Sequence, residues 1–449
     1  MSAMSSNDAS DVTNDGDNVD AHAPTPLLAP ADGVPAVVDT AEGVVAAAEM
    51  LAGGHGPLAV DAERASGFRY SQRAYLLQFR RRGAGTILLD PIPVTGALEP
   101  LASVINPLEW VLHSADQDLP GLAELGLVPA ALYDTELAGR LAGFERVGLG
   151  PIVERTLGLS LQKGHGAADW STRPLPDSWL NYAALDVEVL LELHDAMTEE
   201  LAAKNKTEWA RQEFAHILAL GPAKPKPDRW RKTSGIHAVK SARVLASVRE
   251  LWRSRDEIAA HRDIAPSRIL PDSAIVAAAT ADPKTEGELR ALPVFGGPRQ
   301  RRSTKVWLSA LERARRLPTE ELPPKSAPFD GPPPVNRWAR REPEAAERLT
   351  TVRTAMTALS EEVEVPVENL LMPDLLRRLV WDWTPVERDV AEDIIDKKLT
   401  EGRARPWQRD LVVPVLADAL ISGQQTGIPE QTSGNPAQES GTPEQVTGG

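Results

Sequence analysis

The chain has 449 residues, a formal net charge of −15 and no cysteine, which leaves room for two to four domains and excludes disulfides, thiolate metal sites and a cysteine nucleophile. Any metal must be held by oxygen or histidine ligands. Hydrophobic residues make up 42% of the chain, enough for real cores, while the acidic N-terminus MSAMSSNDASDVTNDGDNVD lacks the pattern of a signal peptide and no apolar run is long enough for a membrane span. These features predict a soluble, cytoplasmic protein.

Residues 1–35 are acidic and polar with little to bury, which predicts a disordered tail. TAEGVVAAAEMLAGG (40–54) predicts a short amphipathic helix closed by its glycines. LAVDAE, YLLQFRR and TILLD (86–90) predict three strands of an antiparallel meander. A helix near 97–105, a strand at EWVLHS (109–114) and a helix opening at DLPGLAEL follow. ALYDTELAGRLAGF (131–144) predicts a strand and a helix with Asp134 as the cap between them, and GLGPIVERTLGL (148–159) predicts another helix. DSWLNYAALDVEVLLELHDAMTEEL (177–201) predicts one long helix with Asp177 as its N-cap. Strands followed by mixed helices and strands predict one α/β domain over residues 36–220.

Residues 221–234 form a basic, Pro-rich linker by composition. Residues 235–320 and 336–420 predict helical modules, separated by a Pro-rich linker over 321–335. Each opens with a long helix and reaches a Pro-Asp step, Pro271-Asp272 and Pro373-Asp374, which predicts a repeated unit. Residues 421–449 are low in complexity and predicted disordered.

Charge is distributed unevenly. Residues 1–60 hold nine acids and residues 421–449 hold three, and neither segment contains Lys or Arg. Residues 222–256 carry ten bases against three acids, and residues 298–316 carry seven against one. Such blocks suit a phosphate backbone, and equally suit a linker and solvated helix faces.

In LAVDAERASGFRY the apolar Leu58 and Val60 lead to Asp61 and Glu63 at a strand end. Residues two apart on a strand share a face, so these carboxylates lie side by side and repel unless a cation intervenes. WVLHSADQDLPGL places Asp116 and Asp118 beyond a strand and at a helix start, where capping alone also favours Asp. In NYAALDVEVLL, Tyr182 and Asp186 lie four apart on one helix face beside an apolar stripe. Buried acids need a partner or a metal. Oxygen-only ligands suit Mg²⁺ or Mn²⁺, and two such ions can serve an in-line phosphoryl displacement. Trp170 and Trp179 could stack on bases or belong to the core.

These motifs, in this order, resemble the tyrosine-containing branch of the DEDD exonuclease superfamily, and their wording resembles the ribonuclease D family. LAVDAE with YLLQF, VLHSADQDLPGL, and LQKGHGAADWSTRPLPDSWLNYAALDV (161–187) carry the resemblance, which extends over about residues 55–420. KTSGIHAVKSARVLASVRELWRSRDEIAAHRDIAPSRILPDSAIVAAA (232–279) resembles an HRDC domain, a helical nucleic-acid-binding module. The resemblance implies a ribonuclease H-like α/β exonuclease domain, a mixed sheet flanked by helices, followed by two all-α HRDC-like domains. It further implies that Asp61, Glu63, Asp118 and Asp186 hold two Mg²⁺ or Mn²⁺ ions while Tyr182 orients, or also helps deprotonate, the attacking water. Spacing from His113 and Leu119 favours Asp118 over Asp116 for the second motif. Lys163, Arg173, Arg231, Lys232 and Lys240 are candidate nucleic-acid contacts.

The implied activity is metal-dependent 3′→5′ hydrolysis of RNA to 5′-nucleotides, at the 3′ ends of tRNA precursors or other small structured RNAs, by a monomer. Single-stranded DNA is the alternative substrate, and an inactive nucleic-acid-binding protein is the alternative from another class. Two departures stand out: Ala62 where the family commonly has Thr, and the base Arg64 directly after Glu63.

Overall fold

The structure is a computed structural model that describes residues 23–162, 164–221, 227–326 and 331–425. Its centre is a six-stranded mixed sheet. The strands are β1 (Thr25–Leu27), β2 (Val37–Val38), β3 (His55–Arg64), β4 (Ala74–Arg82), β5 (Gly85–Leu89), β6 (Glu109–Leu112), β7 (Ala131–Asp134) and β8 (Leu159–Leu161). The main sheet has the order β2-β5-β4-β3-β6-β7, and β1 pairs with β8 in a separate two-stranded sheet. The β3–β4–β5 meander is antiparallel, as predicted, and β6 and β7 add in parallel.

Both faces of the sheet are covered, which explains why its middle strands read as apolar runs rather than alternation. Leu58, Ala59 and Val60 of β3 and Leu76, Leu77 and Phe79 of β4 are all fully buried. One face packs against the helix Ala41–Ala52, whose N-cap Thr40 accepts from the Gly43 N–H at 3.1 Å. On the other face Leu76 and Leu88 meet Ala183 and Ala184 of the helix Asp177–Glu188. Small residues on that helix allow close approach to the sheet. β3 carries register irregularities at both ends, the second between Glu63 and Arg64. A bulge there re-aims the chain as it leaves the acid pair.

Several sequence expectations need correction. The helix predicted over 177–201 is broken at Val189 into Asp177–Glu188 and Leu190–Ala203. Asp177 is the first helical residue, not the cap; Pro176 occupies the cap position. The tail predicted disordered over 1–35 already forms β1 at Thr25–Leu27, because pairing with β8 satisfies its backbone. Residues 1–22 of that prediction lie outside the described residues. Within the predicted linker 221–234, Arg229–Lys232 is a 3₁₀ turn whose Trp230 enters a hydrophobic core. The helix Pro406–Gln425 runs past the predicted end of the second helical module, and residues 426–449 lie outside the description.

Two helical modules follow the sheet domain. Each opens with a 21-residue helix, Ala242–Arg262 and Pro343–Val363. Each opening helix ends on a left-handed residue, Asp263 at φ 47° and Glu364 at φ 49°. A four-residue helix comes next in both, Pro266–Ile269 and Val367–Leu370. No helix among the described residues is long and apolar enough to cross a membrane.

Candidate metal centre and active site

Asp61 and Glu63 stand on the same face of β3, and the helix Asp177–Glu188 lays Asp186 against them. Ligand oxygens of Asp61, Glu63 and Asp186 all lie within 4.8 Å of one another. They share a cleft of about 580 Å³ with Asp118, Tyr182, Arg64 and His113. The structure therefore brings together the acids of the first and third motifs. Asp118 lines the same cleft but pairs with Arg64 at 3.6 Å instead of joining the triad. Asp116 is exposed, whereas Asp118 is 6% exposed.

The turn bearing Asp118 is held by Asp134. This buried carboxylate accepts the N–H groups of Ser114 at 3.2 Å and Ala115 at 2.9 Å, and those of Glu136 at 2.9 Å and Leu137 at 3.2 Å. Asp134 is thus a cap that also anchors the second-motif loop. His113 sits below, its Nδ1 2.9 Å from Thr135 Oγ1, and burial pushes its pKa down to about 4, so it is neutral at physiological pH.

Electrostatics give the cluster its character. Burial, and then the charges of Asp61, Asp186 and Asp118, push Glu63 up to about 10. Burial and the charge of Asp61 push Asp118 up to about 8, against the opposing pull of Arg64. Burial also raises Asp61 and Asp186. The protein thus concentrates carboxylates that cannot all ionise on their own. Across the ladder from Asp61, Gln78 is fully buried with neither amide atom partnered. An all-oxygen donor set under such mutual repulsion fits a hard divalent cation.

Tyr182, one helical turn before Asp186, is hydrogen-bonded to it, and burial and the neighbouring carboxylates raise its pKa. It therefore stays protonated. The loop before its helix closes over the ring: a Cβ added to Gly164 would fall 2.9 Å from Tyr182 Cδ2. His165 lies 5.9 Å from the Tyr182 ring and 5.6 Å from Trp179. Trp170 is fully buried and belongs to the core. Sequence reasoning passed over Gly164, Gln117 and Arg146, which line the cleft. The glycine pair in KGHGAADW was the available signal for the first of these.

The expected nucleic-acid contacts fare differently. Arg173 is bound into the fold: it pairs with Asp90 at 2.5 Å and donates to the carbonyls of Trp170 at 2.8 Å and Tyr75 at 2.7 Å. Its guanidinium staples the loop to β4, because a buried carboxylate and carbonyls there need donors. Arg231 packs 4.3 Å over Trp230 and donates to the Pro324 carbonyl at 3.0 Å. Lys240 donates to the His237 carbonyl at 3.1 Å. Lys232 is exposed beside a cavity, and Lys163 lies outside the described residues.

Residues 35–202 match a family model described as 3′-5′ exonuclease, residues 244–311 match the HRDC domain, and residues 331–420 match a model described as 3′ to 5′ exonuclease C-terminal domain. The sheet, the acid cluster and these matches define a protein with a 3′-5′ exonuclease domain followed by an HRDC domain. A ribonuclease D from Jannaschia sp. (strain CCS1) is 30% identical over 249 residues, 54% of this chain and 64% of that protein. The chain is similar to ribonuclease D proteins and spans less than two thirds of the length of the first of these relatives, 64% of the Jannaschia protein and 52% of one from Bartonella henselae that is 31% identical. A crystal structure of a protein from Bifidobacterium adolescentis superposes with a TM-score of 0.82 at 40% identity, covering 88% of this chain and 99% of that one. Escherichia coli RNase D shares the fold, with a TM-score of 0.61 at 22% identity over 82% of this chain and 98% of its own.

Proposed function

We propose that the chain is a metal-dependent 3′→5′ exoribonuclease that removes 5′-nucleotides from RNA 3′ ends, acting as a monomer in the cytoplasm on tRNA precursors or small stable RNAs. The observation that carries the reading is the Asp61–Glu63–Asp186 triad, with ligand oxygens within 4.8 Å, beside Asp118 and Tyr182 in one cleft. The ribonuclease D relative supports RNA as the substrate class, and the exonuclease model match supports the 3′-5′ direction.

Asp61, Glu63 and Asp186, with Asp118, would hold two Mg²⁺ or Mn²⁺ ions. When bound, such ions activate a water and stabilise charge on the scissile phosphate. Asp61 and Glu63, fixed on a central strand, set the geometry of one side of the site. Asp186 closes it from the helix. Tyr182 remains protonated and orients the attacking water through its hydroxyl rather than deprotonating it.

The test is cleavage of a 5′-labelled single-stranded RNA, with and without Mg²⁺ or Mn²⁺, comparing the wild type with Asp186→Ala. A metal-dependent ladder shortening from the 3′ end, reduced at least about a hundredfold in the variant, is expected. Degradation of matched DNA alone would move the substrate to single-stranded DNA.

A further inference from the structure

Arg64 is a permanent cation among the carboxylates of the acid cleft, where it has no lone pair to offer a metal. Strict strand alternation would turn residue 64 to the face opposite Glu63. The register irregularity between Glu63 and Arg64 instead lets its side chain line the same cleft as Asp61, Glu63, Asp118 and Asp186. We propose that Arg64 is a further catalytic residue, whose guanidinium leaves Asp118 for the scissile phosphate and stabilises the charge that gathers on its non-bridging oxygens during hydrolysis. The proposal rests on the exonuclease reading above.

The arginines that build this fold are held closely. Arg173 reaches Asp90 at 2.5 Å, Arg255 reaches Asp272 at 2.6 Å and Arg405 reaches Glu213 at 2.6 Å. Arg64 has no such hold. Among the described residues its polar contacts are Asp118 Oδ1 at 3.6 Å and Gln117 Oε1 at 3.5 Å, both from one terminal nitrogen. A charge-assisted hydrogen bond is shorter, at about 2.7–2.9 Å. The side chain is 25% exposed, and its remaining donors form the planar fork that matches two phosphate oxygens.

Charge balance identifies what the guanidinium awaits. In the metal-free cleft Arg64 opposes the mutual repulsion of Asp61, Glu63 and Asp118. With two divalent ions in place the four carboxylates are compensated and Arg64 is not. Tyr182 and His113 are neutral at physiological pH, and Arg146 and Glu154, exposed at the rim, cancel in sign. One phosphodiester supplies the missing negative charge. In the hydrolysis the water oxygen bonds to phosphorus, and the bond from phosphorus to the upstream 3′-oxygen breaks. One proton of the water ends on that 3′-oxygen and the other in solvent. Arg64 takes up neither, because a guanidinium stays protonated. Its part is electrostatic, a fixed donor aimed where charge develops.

The experiment pairs two measurements on the full chain. Mn²⁺ binding without RNA is read from the electron paramagnetic resonance of free Mn²⁺, and single-turnover cleavage of a 5′-labelled 12-mer RNA is followed at saturating Mn²⁺. Arg64→Gln removes a cation beside the acids, so it should bind Mn²⁺ about fivefold more tightly. Its cleavage rate should nevertheless fall about a hundredfold, as for loss of one charge-stabilising donor. Its affinity for the 12-mer in EDTA should stay within about threefold of the wild type, since many phosphates contribute. Arg64→Lys keeps the charge without the fork, so it should keep the wild-type Mn²⁺ affinity and lose about tenfold in rate. Methylguanidinium should restore part of the rate of Arg64→Ala and leave the wild type unchanged. A mere counter-ion for the empty site would not slow cleavage once metal saturates, so wild-type cleavage by Arg64→Gln at saturating Mn²⁺ would overturn the proposal. Loss of Mn²⁺ affinity together with rate would also overturn it, because Arg64 would then act by organising the ligands. A wild type that cuts neither RNA nor DNA would overturn the exonuclease reading and the proposal with it, whereas an Arg64→Gln chain that keeps pace with an active wild type overturns the proposal alone.

Discussion

The two helical modules begin alike and attach to the sheet domain differently. The first keeps a hydrophobic core of its own, built around Trp230, Leu251, Ile275, Phe295 and Trp307, and meets the sheet domain through polar contacts to the β3–β4 loop. The second has no separate core: Trp338, Leu349, Met356 and Trp407 belong to the same continuous apolar cluster as Leu58, Trp110 and Leu141. Both dock by the same corner, the left-handed residue that ends the opening helix. At the first corner a side chain makes the contacts. Asp263 accepts from the Ser71 N–H at 2.9 Å, Arg73 at 3.3 Å and Tyr75 Oη at 3.2 Å. At the second corner the backbone does more, with Lys206 Nζ donating to the carbonyls of Val363 at 2.6 Å and Glu364 at 3.2 Å. Of two modules with similar openings, one thus rides on the sheet domain and one completes it.

The strongest way to break this contrast is at Trp407. Its indole stacks on Trp209 with ring centroids 4.8 Å apart and donates to Glu213 at 2.8 Å, while Arg405 pairs with the same carboxylate at 2.6 Å. Trp407→Ala should cost about 3–5 kcal/mol by loss of packing and of a buried donor. Calorimetry should show the sheet domain and the second module losing stability as one transition, with the first module's transition unmoved. Two independent shifts, or a shift confined to residues 335–425, would show that the second module is not part of the catalytic core.

Metal and pH should separate the modules next. Burial and neighbouring carboxylates raise Glu63 to about 10 and Asp118 to about 8 in the folded chain. A raised folded pKa means that the native state binds more protons than the unfolded one, so stability is full below the ordinary carboxyl range and is lost as pH rises through the folded values. The metal-free melting temperature of the fused unit should fall as pH rises from about 5 to about 9. Mn²⁺ should reverse the fall, most at the higher pH, and binding at neutral pH should release protons, seen calorimetrically as a dependence on buffer ionisation heat. Glu63→Gln should flatten the pH dependence. An equal Mn²⁺ response in the first module's transition would contradict the assignment of the metal to the acid cleft.

Asp61 and Glu63 were legible because an apolar run leads into them along β3, and Asp186 because it lies beside the apolar stripe of a helix. Tyr182 was legible through helical periodicity. What escaped reading has physical reasons. β1 and β8 span three residues each, too short to establish a period of two. The break at Val189 carries no glycine or proline, and it divides one apolar pattern between two helices. Arg173 read as a surface cation because nothing local signals Asp90, 83 residues away, as its partner. The similar openings of the two modules were legible through their long helices and Pro-Asp steps, but the difference between their attachments was not. Asp263 finds Arg73 across 190 residues, and no spacing rule reaches that far.

That difference in attachment yields the smallest and most specific prediction, a pair of substitutions at the two corners. Asp263→Ala removes the acceptor for Ser71, Arg73 and Tyr75, so it should destabilise the seam by about 1 kcal/mol, chiefly by orphaning the Ser71 N–H. Amide exchange should rise across residues 66–73 with little change in either melting transition. Glu364→Ala removes an exposed partner of Lys204 and leaves the carbonyls that hold Lys206 in place. No measurable loss of stability is expected there, since an exposed ion pair contributes little. Asn at position 263 keeps an acceptor oxygen and the left-handed conformation, so Asp263→Asn should restore most of the protection. Equal exchange in the Asp263→Ala and Glu364→Ala chains would mean that both corners are held by backbone alone. The first module would then owe its place to its remaining contacts, Arg268 with the Gly67 carbonyl at 2.8 Å and the guanidinium 4.1 Å over Phe68, and not to the aspartate that ends its opening helix.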